Sequence, residues 1–513
     1  MIVLFKGMNS KSNKYFNIIS LFAAGVLVFA GYFSLVLCWY IHRQYNGVSF
    51  DEIMFQIFAP KDGTAGEVFR EFFATCTAAL AAGLIAIAAA AVFFFRFIKN
   101  KRKRAGLLTT AGSFVIMCGC VIFAFTEVGA VSWYRNSKVD SEYVENNYTD
   151  PADVTIKAPE KKRNLIYIFM ESMESTFQSK EDGGAMDEEL IPELHELALN
   201  NVNFSETENV GGGHASSGAT WTIAGMAAQT SGLPLLLSTN RTKYGYLDRF
   251  MPGATTLGDI LHENGYYQEI VMGSNAAFEG RDKYFGQHGD YQILDYTKDI
   301  ELHKIPTDYH VWWGIEDSLM YSFAKTEILN AAENAEKTGE PFNVTLLTAD
   351  THQTDGYKCS LCRNKFDDQY KNVLACASRQ VSDLVSWIQD QEFFKDTTIV
   401  IAGDHTTMDN KFILNYYDGS APRRVYNCFI DPAPDNVSYR DNLKNRRFTT
   451  LDMFPTTLSA LGFTIEGNRL GLGTDLFSGE ETLSEKYGYR RQDEEFGRHS
   501  KFYNEKLWAS QDQ

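Results

Sequence analysis

The chain has 513 residues, 44% of them hydrophobic, and a formal net charge of −17 from 65 acidic and 48 basic side chains. That length accommodates more than one structural unit, and an acidic chain excludes nucleic acid as a partner and broad electrostatic adhesion to anionic lipid. An anionic substrate must therefore be held by local cations, a metal or a few Arg, Lys or His side chains.

Three segments come first, Tyr15 to Ile41, Phe72 to Phe95 and Ala105 to Thr126, and none contains Asp, Glu, Lys or Arg. Each is long enough for a membrane span, which takes roughly 20 residues. The first exceeds a signal-peptide core and lacks a small-x-small cleavage site after it. Lys6, Lys11 and Lys14 precede it, and Arg96, Lys99, Lys101, Arg102, Lys103 and Arg104 fill the second connection. Excess Lys and Arg marks the cytoplasmic side. The expected topology is three crossings, with everything after Glu127 outside. An amphipathic stretch, Phe50 to Phe58, is expected to lie on the outer surface. The expected division is a transmembrane region 1–127, a polar linker 128–162 with Pro151 and Pro159, an outer domain 163–480 and a tail 481–513.

The outer domain opens with Asn164-Leu165-Ile166-Tyr167-Ile168-Phe169-Met170, a continuous apolar run of the kind found in a central parallel strand. Helical patterns follow around Glu188 to Leu199, Thr256 to Asn264, Asp317 to Asn334 and Val373 to Gln389. Strand patterns recur at Tyr267 to Met272, Phe342 to Thr348 and Thr397 to Ala402. This alternation predicts an α/β fold with a mostly parallel sheet covered on both faces.

Chemistry-bearing residues cluster where these strands end. Asp404 and His405 close the Thr397 to Gly403 run and would deliver a hard oxygen and an imidazole nitrogen to the sheet edge. Glu171 directly follows the first strand, with Glu174 as its rival. Parallel strands end on the same edge, so Glu171 could join Asp404 and His405 at a metal. Gly211 to Gly218 is a Gly/Ser-rich loop running into Trp221-Thr222-Ile223-Ala224-Gly225-Met226. A hydroxyl opening that helix, Thr222 or Thr220, is either a cap or a nucleophile facing an anion-binding helix terminus. Arg281 could fork a phosphate, and His352, in Asp350-Thr351-His352 after another strand, could bind substrate or move a proton. Cys359-x-x-Cys362 has zinc-pair spacing, but no second close pair follows. A disulfide from Cys376 to Cys359 or Cys362 is the expectation.

Taken in order, Tyr167 to Ser172, Trp221 to Met226, Phe278 to Asp282, Asp350 to His352, Val400 to His405 and Asp452 to Leu458 resemble the phosphoglycerol transferase and lipoteichoic acid synthase family of the alkaline phosphatase/sulfatase superfamily. The resemblance implies an alkaline-phosphatase-like sheet behind an N-terminal transmembrane helix bundle. It implies Glu171, Thr222, Asp404 and His405 as metal site, Thr222 as catalytic nucleophile, and Arg281 and His352 as substrate-binding residues. Manganese is the implied metal, with magnesium or zinc as alternatives. Phosphatidylglycerol is the implied donor, a glycan, glycolipid or glycerophosphate polymer the acceptor, and the bacterial inner membrane the location, with the catalytic domain extracytoplasmic. Two departures stand out: three spans stand where relatives commonly have four or five, and the chain stops soon after the core, which bears on the acceptor. Competing readings are phosphoethanolamine transfer, with His214 as an extra zinc ligand, a phosphodiesterase of the same fold, or a non-catalytic lipid- or wall-binding envelope protein. A sulfatase activity lacks its Cys/Ser-x-Pro-x-Arg motif.

Overall fold

The computed structural model describes residues 2–58, 66–98, 103–236, 249–433 and 442–508. The chain forms two compact units, one of residues 1–45 and 65–135, the other of residues 46–64 and 136–513.

The first unit contains helices α1 (Ile2–Gln44), α3 (Gly66–Ile98) and α4 (Lys103–Glu127). All three are long and apolar enough to cross a membrane. They pack through small residues, as spans do where apolar burial gives no preference for helix over lipid. A Cβ on Gly31 would lie 3.0 Å from the Met117 backbone. The Asn17 amide donates to Ile98 O at 2.8 Å, and Thr110 Oγ1 donates to Ser20 O at 3.0 Å.

The second unit is built on a seven-stranded sheet of β1 (Asn164–Met170), β2 (Gly212–Gly213), β3 (Tyr267–Met272), β4 (Gln292–Leu294), β5 (Phe342–Leu347), β6 (Thr397–Gly403) and β7 (Val425–Ile430). The order is β2-β7-β6-β1-β5-β3-β4, parallel from β6 to β4 and antiparallel at β7 and β2. Strand alternation sorts β1 between two cores. Leu165, Tyr167 and Phe169 join the apolar cluster containing helix α5 (Thr222–Ser231), and Ile166, Ile168 and Met170 join the one containing helix α6 (Gln369–Gln389). Both faces are thus covered, which is why β1 reads as an unbroken apolar run.

The expected strands 164–170, 267–272, 342–348 and 397–402 form within a residue of those bounds. The expected helices form too, with local signals setting their ends. Pro192 opens Pro192–Asn200, Thr256 and Asp259 make a reciprocal cap on Leu257–Glu263, and Gly339 (φ 78°) stops Asp317–Thr338. The short strands β2 and β4, and β7, are additions. Mid-strand Asn427 breaks the apolar run of β7, because its side chain pins Phe204 through both the backbone N–H and C=O.

The boundaries differ from those expected. Residues 136–162 are folded, not a free linker: Ile156–Lys157 pairs with Thr464–Ile465, and Tyr143 is buried against Tyr487 and Phe496. The tail after 480 folds onto the same unit, burying Phe496, Tyr503, Leu507 and Trp508. The amphipathic stretch is helix α2 (Phe50–Phe58), and it belongs to this unit. Asn46 N donates to Met408 O at 2.8 Å and Arg423 Nη1 donates to Asn46 Oδ1 at 3.0 Å, anchoring its start. Polar composition concealed these few anchoring aromatics.

Candidate active site

The register of the central pair builds the site. Met170 of β1 lies opposite Gly403 of β6, so the next residues, Glu171 and Asp404, emerge together from the carboxyl edge. Thr348 follows β5 on the other side of β1, where its Oγ1 accepts from Glu171 N at 2.9 Å. Glu171, Asp404 and His405 are all buried, and each offers a ligand atom within 4.8 Å of the others. His405 Nε2 lies 3.4 Å from Glu171 Oε1 and 3.6 Å from Asp404 Oδ2.

The orientation of these groups is set by the backbone around them. Asp404 Oδ1 accepts from Ser172 N at 2.8 Å and from His405 N at 2.7 Å. Its Oδ2 is buried with no hydrogen-bond partner. His405 Nδ1 donates to Thr406 O at 2.9 Å, which orients the ring and turns Nε2 toward the carboxylates. Ser172, at φ 55°, holds a sharp turn that a non-glycine residue rarely adopts, as is common where a strand hands residues to a site.

Thr222 is the first residue of α5, and its Oγ1 donates to Glu171 Oε2 at 3.2 Å. The Gly225 in Thr-Ile-Ala-Gly-Met makes this approach possible, since a Cβ there would lie 2.1 Å from Asp404 O. Gln229 Nε2, one turn on, donates to Gly403 O at 2.8 Å and locks the helix to the strand end. Thr220 Oγ1 is buried without a partner.

Electrostatics expose a shortage of positive charge. Burial, then the Glu171 carboxylate, raises Asp404 to about 8. Burial opposes a charge on His405, but Asp404 and Glu171 overcome it and raise the imidazole to about 10. Burial also opposes the Glu171 charge, yet His405 holds that carboxyl well below its ordinary range. Two buried carboxylates thus compete for one imidazolium, and an unpartnered oxygen remains. A divalent cation fits this donor set of carboxylate oxygens, one imidazole nitrogen and the adjacent Thr222 hydroxyl.

Arg281 is buried and bent back on its own loop, donating to Phe278 O at 3.1 Å and Asn275 O at 3.0 Å. Burial lowers its pKa against the raising effects of Glu279, Glu171, Asp295 and Asp404. His352 is half-buried, packs tilted against Trp313 with ring centroids 4.5 Å apart, and donates from Nδ1 to Gln353 O at 2.7 Å. It is near enough to help His405 lower the Glu171 carboxyl. Trp313 in turn contacts Phe278 at 5.3 Å, giving an aromatic wall beside the cluster.

Two sequence rivals lie elsewhere. Glu174 is fully buried in an ion pair with Arg423 at 2.6 Å and accepts from Thr407 N at 3.2 Å. His214 is bound to Asp493 Oδ2 at 2.9 Å and packs on Tyr489. The missed residues are Glu279 and Glu52. Glu279 Oε2 accepts from Ile223 N at 3.3 Å, beside Thr222, and its Oε1 accepts from Gln56 of α2. Glu52 of α2 is 3% exposed, its Oε2 has no partner, and it feels the charges of His405 and Glu279. Burial raises both carboxyls, Glu52 to about 8. Phe55 of α2 is buried against Trp221, with ring centroids 5.5 Å apart. The only sequence signal for Glu52 was an acid on an apolar helix face.

The chain is similar to several known proteins. Phosphoglycerol transferase I of Escherichia coli O6:K15:H31 (strain 536 / UPEC) is 30% identical over 330 residues, 63% of this chain and 40% of that protein. The match thus spans less than half of the relative's length. The same enzyme of Escherichia coli O127:H6 (strain E2348/69 / EPEC) matches equally. Among solved structures, the lipoteichoic acid synthase LtaP from Listeria monocytogenes is 16% identical with a TM-score of 0.46, covering 66% of this chain and 81% of that one. The family model "Sulfatase" matches residues 163–463, more than half of the sequence. The chain belongs to the sulfatase family, within the alkaline phosphatase/sulfatase superfamily.

Proposed function

We propose that this protein is a membrane-anchored phosphoglycerol transferase. The observation that carries the reading is the Thr222 hydroxyl at a helix start, hydrogen-bonded to Glu171 in a buried Glu171–Asp404–His405 cluster. The donor is phosphatidylglycerol and the acceptor an envelope glycan, a glycolipid or a growing glycerophosphate polymer. The likeness to phosphoglycerol transferase I supports the headgroup.

A divalent cation held by Glu171, Thr222, Asp404 and His405, manganese in preference to magnesium or zinc, would supply Lewis acidity that favours the Thr222 alkoxide and offsets phosphoryl charge. In the first step Thr222 Oγ1 bonds to phosphorus, its proton leaving along the hydrogen bond to Glu171. The bond from phosphorus to the diacylglycerol oxygen breaks, and that oxygen takes a proton from His352. In the second step the acceptor oxygen bonds to phosphorus and gives its proton to His352. The bond to Thr222 breaks, and Thr222 recovers its proton from Glu171. Arg281 turns out from its loop carbonyls to the phosphoryl oxygens, a charge-assisted fork that those carbonyls only partly replace. The covalent tie to the apolar N-terminal helices keeps the enzyme with a membrane lipid that would otherwise be dilute.

Phosphoethanolamine transfer is the second reading, because the buried carboxylates of Glu52 and Glu279 would suit an ammonium headgroup. One assay separates the two. Full-length protein in detergent with manganese is given phosphatidylglycerol or phosphatidylethanolamine, and diacylglycerol release is followed beside Thr222→Ala. Release from phosphatidylglycerol that vanishes in the variant supports the first reading. Release from phosphatidylethanolamine alone supports the second, and silence with both overturns transfer from either lipid.

A further inference from the structure

Between Thr351 and Asp368, on the far side of His352 from β5, the chain runs without helix or strand. A connection of that length inside a compact domain is normally held by something besides its own backbone. Two of its residues, Cys359 and Cys362, meet Cys376 on α6. Cys359 Sγ lies 3.7 Å from Cys362 Sγ and 3.9 Å from Cys376 Sγ, and all three sulfurs lie within 4.8 Å of one another. The disulfide expected from Cys376 is therefore not formed, and all three are thiols.

These spacings match a specific chemistry. A disulfide needs sulfurs about 2.05 Å apart. Zinc–thiolate bonds of about 2.3 Å place the sulfurs of a tetrahedral site about 3.8 Å apart. Cys-x-x-Cys is also the spacing by which one loop supplies two zinc ligands. The second pair absent from the sequence is replaced by a single cysteine brought in by the fold.

The surroundings suit thiolates. Arg379 Nη2 donates to Cys376 Sγ at 3.3 Å, and Gln380 Nε2 donates to Cys376 Sγ at 3.4 Å and to Cys359 Sγ at 3.9 Å. Donors aimed at the sulfurs orient and stabilise metal thiolates. Three thiolates with a doubly charged cation leave one net negative charge, and the Arg379 guanidinium stands against it. Cys359 and Cys376 are buried and Cys362 is half-buried, so the cluster reaches the surface only at Cys362.

We propose that Cys359, Cys362 and Cys376 form a structural site for a thiophilic divalent cation, Zn2+ by its bond lengths, distinct from the Glu171–Asp404–His405 cluster. Binding releases the thiol protons and ties the loop that carries His352 to α6. The site is independent of the transfer reaction and of its donor lipid.

The test uses full-length protein in detergent, with Asp404→Asn to disable the other cluster, loaded with Zn2+ and freed of excess. The expected result is one retained zinc per chain, an X-ray absorption shell of three sulfurs, and loss of that zinc in Asp404→Asn/Cys376→Ser. Cobalt in place of zinc in Asp404→Asn should give thiolate-to-metal charge-transfer absorption, a readout that needs no cysteine variant. Zinc retained without a sulfur shell overturns the proposal. So does non-reducing mass analysis after alkylation that finds two of these three cysteines joined in a disulfide.

Discussion

Phe55→Ala tests whether helix α2 is a working wall of the active site. Phe55 is 2% exposed and packs on Trp221, the residue before Thr222, while Gln56 and Glu52 on the same helix face Glu279 and His405. Removing a buried Phe side chain typically costs about 3–5 kcal/mol. Helix α2 is short and stands apart in sequence from the rest of its unit, so the loss falls on its docking and not on the whole sheet. The lower end, about 3 kcal/mol, weakens docking roughly a hundredfold. Hydrogen exchange on the full-length protein should show faster exchange across 50–58, with the amides of β1 and β6 unchanged. Diacylglycerol release should fall at least tenfold. Ile57→Ala is the control, since Ile57 is 56% exposed on the same helix and its loss should change neither. Faster exchange with full turnover would refute the placement of α2 in the site. Unchanged exchange would refute the docking itself.

Metal affinity should rise with pH. With no cation bound, Asp404 is raised to about 8 and His405 to about 10, both above their ordinary values of 3.8 and 6.5, so at neutral pH each keeps a proton that a metal must displace. Calorimetric manganese titrations from pH 6 to 8.5 should therefore tighten with pH and release protons, and affinity that is flat or falls with pH would contradict the cluster as ligand set. Glu174→Ala leaves Arg423 with its charge largely buried and should lower stability by about 3–5 kcal/mol, seen as a depressed melting temperature, with metal stoichiometry retained. Gly225→Ala drives a Cβ toward Asp404 O and should displace α5 from the strand end, so metal binding and turnover drop together. Turnover kept in that variant would mean that the close approach is not required.

Much of the site is legible in the sequence because parallel strands end on one edge. Glu171, Asp404 and His405 each follow an apolar run directly, and strand register does the rest. Thr222 is legible because a Gly-rich loop meets an apolar helix there. The choice of Glu171 over Glu174 rests on Glu171 directly following the strand, and the role of Glu174 is visible only once Arg423 arrives from far along the chain to pair with it. Glu52 and Glu279 are illegible for the same physical reason: each gains its meaning from a contact between distant segments, which no local period records. The linker and tail mislead because a few buried aromatics, such as Tyr143 and Phe496, fix polar stretches that look unstructured by composition.

The central claim is that Thr222 carries the headgroup covalently. Full-length protein with manganese and phosphatidylglycerol, quenched in acid without acceptor, can be digested and its peptides weighed. A glycerophosphoryl adduct is expected on the peptide containing Thr222, absent in Thr222→Ala, together with one equivalent of diacylglycerol. An unmodified Thr222 peptide with diacylglycerol still released, or release by Thr222→Ala at the wild-type rate, would contradict it.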